Sequence, residues 1–335
     1  MIALAACRPE IRPPPAARPA SAPPQAPPPA ASASAAPAPP PAETFIPGRA
    51  EAAERVLFLA THLRTTDLRE ACPVTLATAE RVRCLVSLRY ADEVEAKKLA
   101  FALLDETGSL AGLLPEETTD DGRGHKVKLA PARPVGANRI HFEWILAAHR
   151  EYARFLGAIG KHGKIAFRDR PLDYRFFYTD KGGAPSAFAV GGNVGYNLRG
   201  TVNVSEEAVR DTLFHEIFHL NDGWHGGWSK DALGPIYDRI LARCGADRRC
   251  LLPYAPTDTT MGGKLYAFIP SGGAREYAAE IALRYFREQR LALDGKPLPV
   301  PAFKCGPPEN AEAMGLVARE FFGGVDLVPA CGAAP

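Results

Sequence analysis

Asp211–His225, DTLFHEIFHLNDGWH, sets His215 and His219 four residues apart with Glu216 beside the first of them. Positions four apart on an α-helix stand one turn above each other, so both imidazoles can reach one metal ion from the same face. Glu216 projects about 100° round from that line, which suits a carboxylate that acts on water rather than one that ligates metal. The flanks predict the helix that such a pair needs. Ser205 is a good N-cap, and Glu206 and Glu207 meet the positive end of the helix dipole. Val209, Leu213, Ile217 and Leu220 recur as a core-facing stripe. Two histidines make half of a catalytic zinc site, so a third protein ligand must come from elsewhere in the chain.

Two candidates compete for that place. His225 gives HEIFHLNDGWH the ligand spacing of the metzincin motif HExxHxxGxxH, with Met261 as its downstream methionine turn. Asp222, however, stands where that motif has glycine, at a bend that the positive φ of glycine suits best, although Gly223 follows it. The rival is Glu276 in Arg275-Glu276-Tyr277-Ala278-Ala279-Glu280, which opens an amphipathic helix running through Gln289. Together with HExxH, this segment resembles the E-(F/Y)-F-A-E segment of gluzincin metallopeptidases related to the anthrax lethal factor catalytic domain. Only these two short segments carry the resemblance.

The resemblance implies an α+β, zincin-like two-lobed fold with a small mixed sheet, an active-site helix and a mainly helical C-terminal lobe. It makes Glu276 the third zinc ligand, and it places Glu280, one turn later, on a ligating imidazole. Tyr266, in GGKLYAFIP, is the expected donor to the oxyanion, with His225 as a second option, because related enzymes hold a tyrosine or histidine over the metal. The expected activity is zinc-dependent hydrolysis of a protein or peptide, with Glu216 as general base and Zn2+ as cofactor. Trp224 and Trp228 belong to a glycine-rich loop that either lines a substrate pocket or packs its indoles inward.

Composition bounds the alternatives. Of the 32 prolines in 335 residues, 14 crowd into Ile11–Pro47, a Pro/Ala/Ser stretch too poor in apolar surface to fold and expected to be a disordered tether over residues 8–47. The remaining ~285 residues suffice for one large domain or two lobes. A formal charge of +2 supplies no field for nucleic acid, and no apolar run is long enough to span a membrane. Leu4-Ala5-Ala6-Cys7 resembles a bacterial lipobox, which implies a lipidated Cys7 as membrane anchor in a bacterial envelope. Six residues are too few for a signal's basic and apolar regions, so a start further upstream is expected. Six cysteines then remain, and the simplest of the 15 pairings is local: Cys72 with Cys84, Cys244 with Cys250, Cys305 with Cys331. Such staples suit an exported protein.

Taken in order, residues 48–115 read as a helical N-terminal region, with helices at Arg49–Arg64, Leu76–Leu88 and Ala91–Asp105, and residues 116–335 as the metallopeptidase domain. Pro115–Gly124 is a polar loop and His125–Leu129 a short strand. Asn138 is the expected cap of a helix reaching Gly157, whose His141 and His149 are structural. From Asp173 the period changes to two, which predicts strands at Tyr174–Tyr178, Ala187–Val190, Val194–Leu198 and Thr201–Val204, with Arg199-Gly200 as a hairpin turn. One of these strands is the expected edge for an extended substrate. A monomer is expected. The competing class is an exported, anchored binding or structural lipoprotein with a stabilising or vestigial zinc site, for which a general base beside the metal has no use.

Overall fold

The computed structural model describes residues 50–59, 68–120, 125–169, 171–180 and 183–332. Cys7, the tether and residues 60–64 of the expected first helix lie outside them. Among the described residues four helices come first: α1 (Ala50–Leu57), α2 (Leu68–Ala71), α3 (Thr78–Arg89) and α4 (Val94–Thr107). Strands β1 (Leu110–Leu113), β2 (Glu117–Asp120) and β3 (Lys126–Pro131) follow, and then the long helix α5 (Ile140–Ile159). β4 (Asp173–Thr179), β5 (Ala187–Val190) and β6 (Asn193–Asn197) complete the sheet. The remainder is α6 (Glu206–Trp224), α7 (Trp228–Ala232), α8 (Gly234–Cys244), α9 (Arg248–Leu251), the two-strand ribbon β7 (Thr260–Met261) and β8 (Lys264–Leu265), α10 (Gly273–Leu293) and α11 (Pro308–Phe321). The protein is therefore α+β with one mixed main sheet.

β4 is the axis of that sheet. Along one edge it pairs first with β1, parallel, and then with β3, antiparallel; along the other it pairs with β6, parallel, and β6 with the edge strand β5. Its side chains alternate. Tyr174 and Phe176 enter the main core beneath α5, while Phe177 joins Leu114, Val127 and Leu129 in a small cluster of its own. The main core runs without interruption from Val56 and Leu85 through Phe142 and Phe214 to Phe286 and Phe321. The helices before residue 115 share this core. β1 lies within the sheet, α1 packs on it, and Arg175 of β4 donates to the carbonyls of Arg55 and Leu113 at 2.7 and 3.3 Å.

Several local expectations are corrected. Glu117–Asp120 is a strand, not loop; its ETTD sequence is polar on both faces because β2 is an exposed partner of β3. α5 starts after a 3-10 turn at Gly136–Arg139 and has no side-chain cap, because Asn138 lies inside that turn and the cap position falls to Arg139; the Asn138 amide donates to the Tyr178 hydroxyl at 2.6 Å. No strand forms at Thr201–Val204. The two-residue hairpin is Gly191-Gly192, where φ of 55° and 82° meets a requirement that glycine satisfies without strain. Residues 199–204 are wound back instead by two asparagines. Asn197 Oδ1 accepts from Arg199 N at 2.9 Å, and the Asn203 amide donates to the Ser186 and Asn197 carbonyls, each at 2.9 Å.

Three disulfides join Cys72 to Cys84, Cys244 to Cys250 and Cys305 to Cys331, with Cα separations of 5.7, 5.3 and 5.4 Å. They fit an oxidising, exported environment. Among the described residues no helix is long and apolar enough to cross a membrane.

Asp173, at the start of β4, generates a pH test. Burial pushes its carboxyl up to about 6, with Arg175 pulling the other way. The folded chain therefore holds this proton more tightly than the unfolded one, and its contribution to stability falls as pH rises from about 4 to about 6. Asp173→Asn is expected to be about 1–2 kcal/mol more stable than the parent near pH 7 in urea unfolding, with the gap closing below about pH 4.

Candidate metal centre

α6 begins as its sequence dictates: Ser205 Oγ accepts from Ala208 N at 3.2 Å, and Glu206 and Glu207 occupy the first turn. Its apolar side, Val209, Leu213, Phe214, Ile217 and Phe218, is fully buried. Phe214 lies flat between Phe286 of α10, at 4.3 Å between centroids, and Phe167, at 5.0 Å. This stack fixes how closely α6 and α10 approach. His215 and His219 emerge on the side of α6 that meets the first turns of α10.

There His215 Nε2 and His219 Nε2 stand 3.1 Å apart, Glu276 Oε2 is 3.1 Å from His215 Nε2, and Glu276 Oε1 is 3.3 Å from His219 Nε2. Bonds of about 2.0–2.1 Å in a tetrahedral shell require donor edges of about 3.3–3.4 Å, so the three residues fit one small divalent ion. Two neutral imidazoles and one carboxylate suit zinc among other first-row metals. Glu280, one turn after Glu276, accepts from His215 Nδ1 at 2.9 Å and so leaves the Nε2 lone pair free for the metal. Thr257 Oγ1 donates in turn to Glu280 Oε2 and lies 3.1 Å from Thr259 Oγ1. The Nδ1 of His219 is buried with no partner among the described residues.

The charges are strongly coupled. Burial disfavours the His215 imidazolium, yet Glu276 and Glu280 hold its pKa well above the usual histidine value. Burial also disfavours the Glu276 carboxylate, and hydrogen bonds to the two histidines overcome this and hold it far below the usual range. Glu216 goes the other way: burial raises its carboxyl pKa against the pull of His215 and His219. Tyr266, presented by the 3-10 turn after the β7–β8 ribbon, has its ring 5.7 Å from that of His215. Burial first, and then the carboxylates of Glu276, Glu216 and Glu280, push its phenol far up, so it keeps its proton.

All five expected site residues therefore converge: His215, Glu216, Tyr266 and Glu276 line one cleft of about 570 Å³, and His219 completes the donor set. His225 does not join them. α6 continues as helix through Trp224, since Asp222 keeps helical backbone and turns its carboxylate to the N–H and hydroxyl of Ser229 at 2.6 and 2.7 Å. That carries His225 away to Glu320, 2.6 Å from its Nδ1. Trp228 packs edge-on against Phe321, and Trp224 also packs against the core. Met261 sits in the β7–β8 ribbon on the cleft wall. His141 and His149 are buried against Tyr196 and Tyr174, at 2.9 and 2.6 Å.

Thr257 and Gly272 leave no signal in the sequence, since each meets the donor cluster only through a tertiary contact, Thr257 with Glu280 and Gly272 with Glu276. Comparison of the chain with protein-family models, with curated proteins and with solved structures finds no match.

A methyl group on Gly272 would meet Glu276 Cγ at 2.2 Å and its Cβ at 2.8 Å. Gly272→Ala is therefore expected to displace the Glu276 carboxylate and weaken binding of a divalent metal by about tenfold or more, and Thr257→Val by up to about the same factor. Competition with a chromogenic chelator measures both. Unchanged affinity in Gly272→Ala would remove Glu276 from the donor set.

Proposed function

We propose that the chain is a zinc-dependent metallopeptidase of gluzincin type, hydrolysing peptide bonds in a protein or peptide substrate. The observation that carries this reading is the convergence of His215, His219 and Glu276 at donor spacings that suit one ion, with Glu216 beside them in an open cleft. The likeness of Glu276–Glu280 to the gluzincin segment supports it. Bound zinc supplies Lewis acidity, lowering the pKa of water towards neutrality and polarising the carbonyl.

The residues divide the remaining work. Glu216 takes a proton from the attacking water and passes it to the leaving amine; a carboxyl raised by burial is better matched to that exchange near neutral pH. Tyr266, which stays protonated, donates its O–H to the oxyanion as charge builds on the carbonyl. β5 is an edge strand of the main sheet among the described residues and borders the cleft at Ala187, and an extended substrate pairs with its backbone there. A closed site holding both His225 and Glu276 would have favoured a structural metal; the pairing of His225 with Glu320 gives that alternative no support.

The full chain, produced in an oxidising compartment, is expected to bind one zinc and cleave an unstructured protein. Glu216→Gln should retain the metal and lose cleavage by about 10³-fold or more, and Tyr266→Phe should lower kcat by about 10²-fold with little change in KM. Zinc-free parent protein would sink the proposal. Anchoring through a lipidated Cys7 belongs to the same reading, supported by the three disulfides of an exported chain. Intact mass of the envelope-extracted protein should show a diacylglyceryl increment that Cys7→Ala abolishes.

A further inference from the structure

On α10, Glu276, Glu280, Leu283 and Arg287 line the same cleft. Their spacing of four, three and four residues is that of one helical stripe. The first two face the metal centre. Arg287 reaches instead to Asp211, one turn before His215 on α6, and spends two nitrogens on one oxygen: Nε and Nη2 lie 2.9 and 2.8 Å from Asp211 Oδ2. Its Nη1 has no partner among the described residues, and the side chain is 35% exposed. Asp211 is already shared, since Arg210 Nε lies 3.2 Å from its other oxygen. Two guanidinium groups thus compete for one carboxylate that is 10% exposed. Glu207, the further partner of Arg210, is 74% exposed and screened by solvent.

Glu216, Glu276 and Glu280 thus stand at the metal centre, while the Arg287 guanidinium, paired with Asp211, keeps an open donor further along the same cleft. A guanidinium fixed by its Nε and one Nη2 is oriented, and the remaining Nη1 offers the geometry of carboxylate recognition without a large entropic cost of ordering.

We propose that Arg287 is a substrate-recognition residue that binds a carboxylate of the peptide lying in the cleft. This rests on the peptidase reading for its biological meaning, but not for its measurement. Asp211 and His215 are one helical turn apart, about 5–6 Å along α6, and an extended peptide advances about 3.3 Å per residue. The bound carboxylate therefore belongs to a residue within about one to three positions of the bond at the metal centre. It is supplied either by the C-terminus of a short peptide or by an aspartate or glutamate side chain.

Binding to zinc-loaded Glu216→Gln, which does not turn over, tests this directly. The probes are fluorescent eight-residue peptides of Ala, Gly and Leu in three forms: capped and neutral, with a free C-terminal carboxylate, and capped with a single glutamate placed at each position in turn. One carboxylate form should bind about tenfold or more tightly than the neutral peptide, and which one does so identifies the source. Adding Arg287→Gln should abolish that preference while changing the affinity of the neutral peptide less than about threefold, and Arg287→Glu should reverse it towards a lysine-bearing peptide. Far-UV circular dichroism and zinc content establish that each variant is folded. Equal affinity for all forms, or a preference that survives Arg287→Gln, overturns the proposal. A retained preference in a protein whose parent hydrolyses nothing would instead refute the peptidase reading and leave the carboxylate site standing.

Discussion

Glu276 and Glu280 reach from α10 onto His215 and His219 of α6, and the tolerance of that crossing is a few tenths of an ångström. Donor edges of 3.1–3.3 Å leave no room for the helices to slide. What holds the register is apolar. Phe214 and Phe286 lie nearly parallel at 4.3 Å, Phe155 meets Phe286 edge-on at 4.9 Å, and Phe167 backs Phe214 at 5.0 Å. Close packing of rigid rings converts hydrophobic burial, which has no direction, into a fixed distance between two polar faces. The metal centre inherits its geometry from an aromatic stack one helix face away.

This arrangement also explains why so much charge is tolerated in one place. His215, Glu216, His219 and Glu280 are all under 9% exposed. Buried charges persist where partners meet each one, and here the imidazole of His215 is bracketed by carboxylates on both nitrogens. Glu216 is the member with the weakest compensation, and its raised pKa is the result. An acid left short of partners is unfavourable for stability and useful for moving protons.

What the sequence discloses follows from which signals are local. HExxH, the Ser205 cap and the Glu276–Glu280 spacing are fixed by helix geometry, and the cysteine pairs by their proximity along the chain; all of these are legible. β5 is legible through its composition. The winding of residues 199–204 is not, because Asn197 and Asn203 replace strand pairing with side-chain hydrogen bonds that leave no periodic trace. β2 hides for the opposite reason, being polar on both faces. The capping asparagine expected at 138 fails because a 3-10 turn shifts the cap position to Arg139. Thr257, Gly272 and Arg287 matter only through contacts made across the fold. Local pattern therefore recovers the donors, and tertiary contact recovers what aims them.

The donor set is divided between segments 61 residues apart. A chain that has not yet folded offers two imidazoles one turn apart on a helix of uncertain stability, and no carboxylate near them. Neither α6 nor α10 alone supplies all three donors. The set comes into existence only when α10 docks and the aromatic stack closes, so the centre is a product of tertiary assembly that neither helix carries by itself.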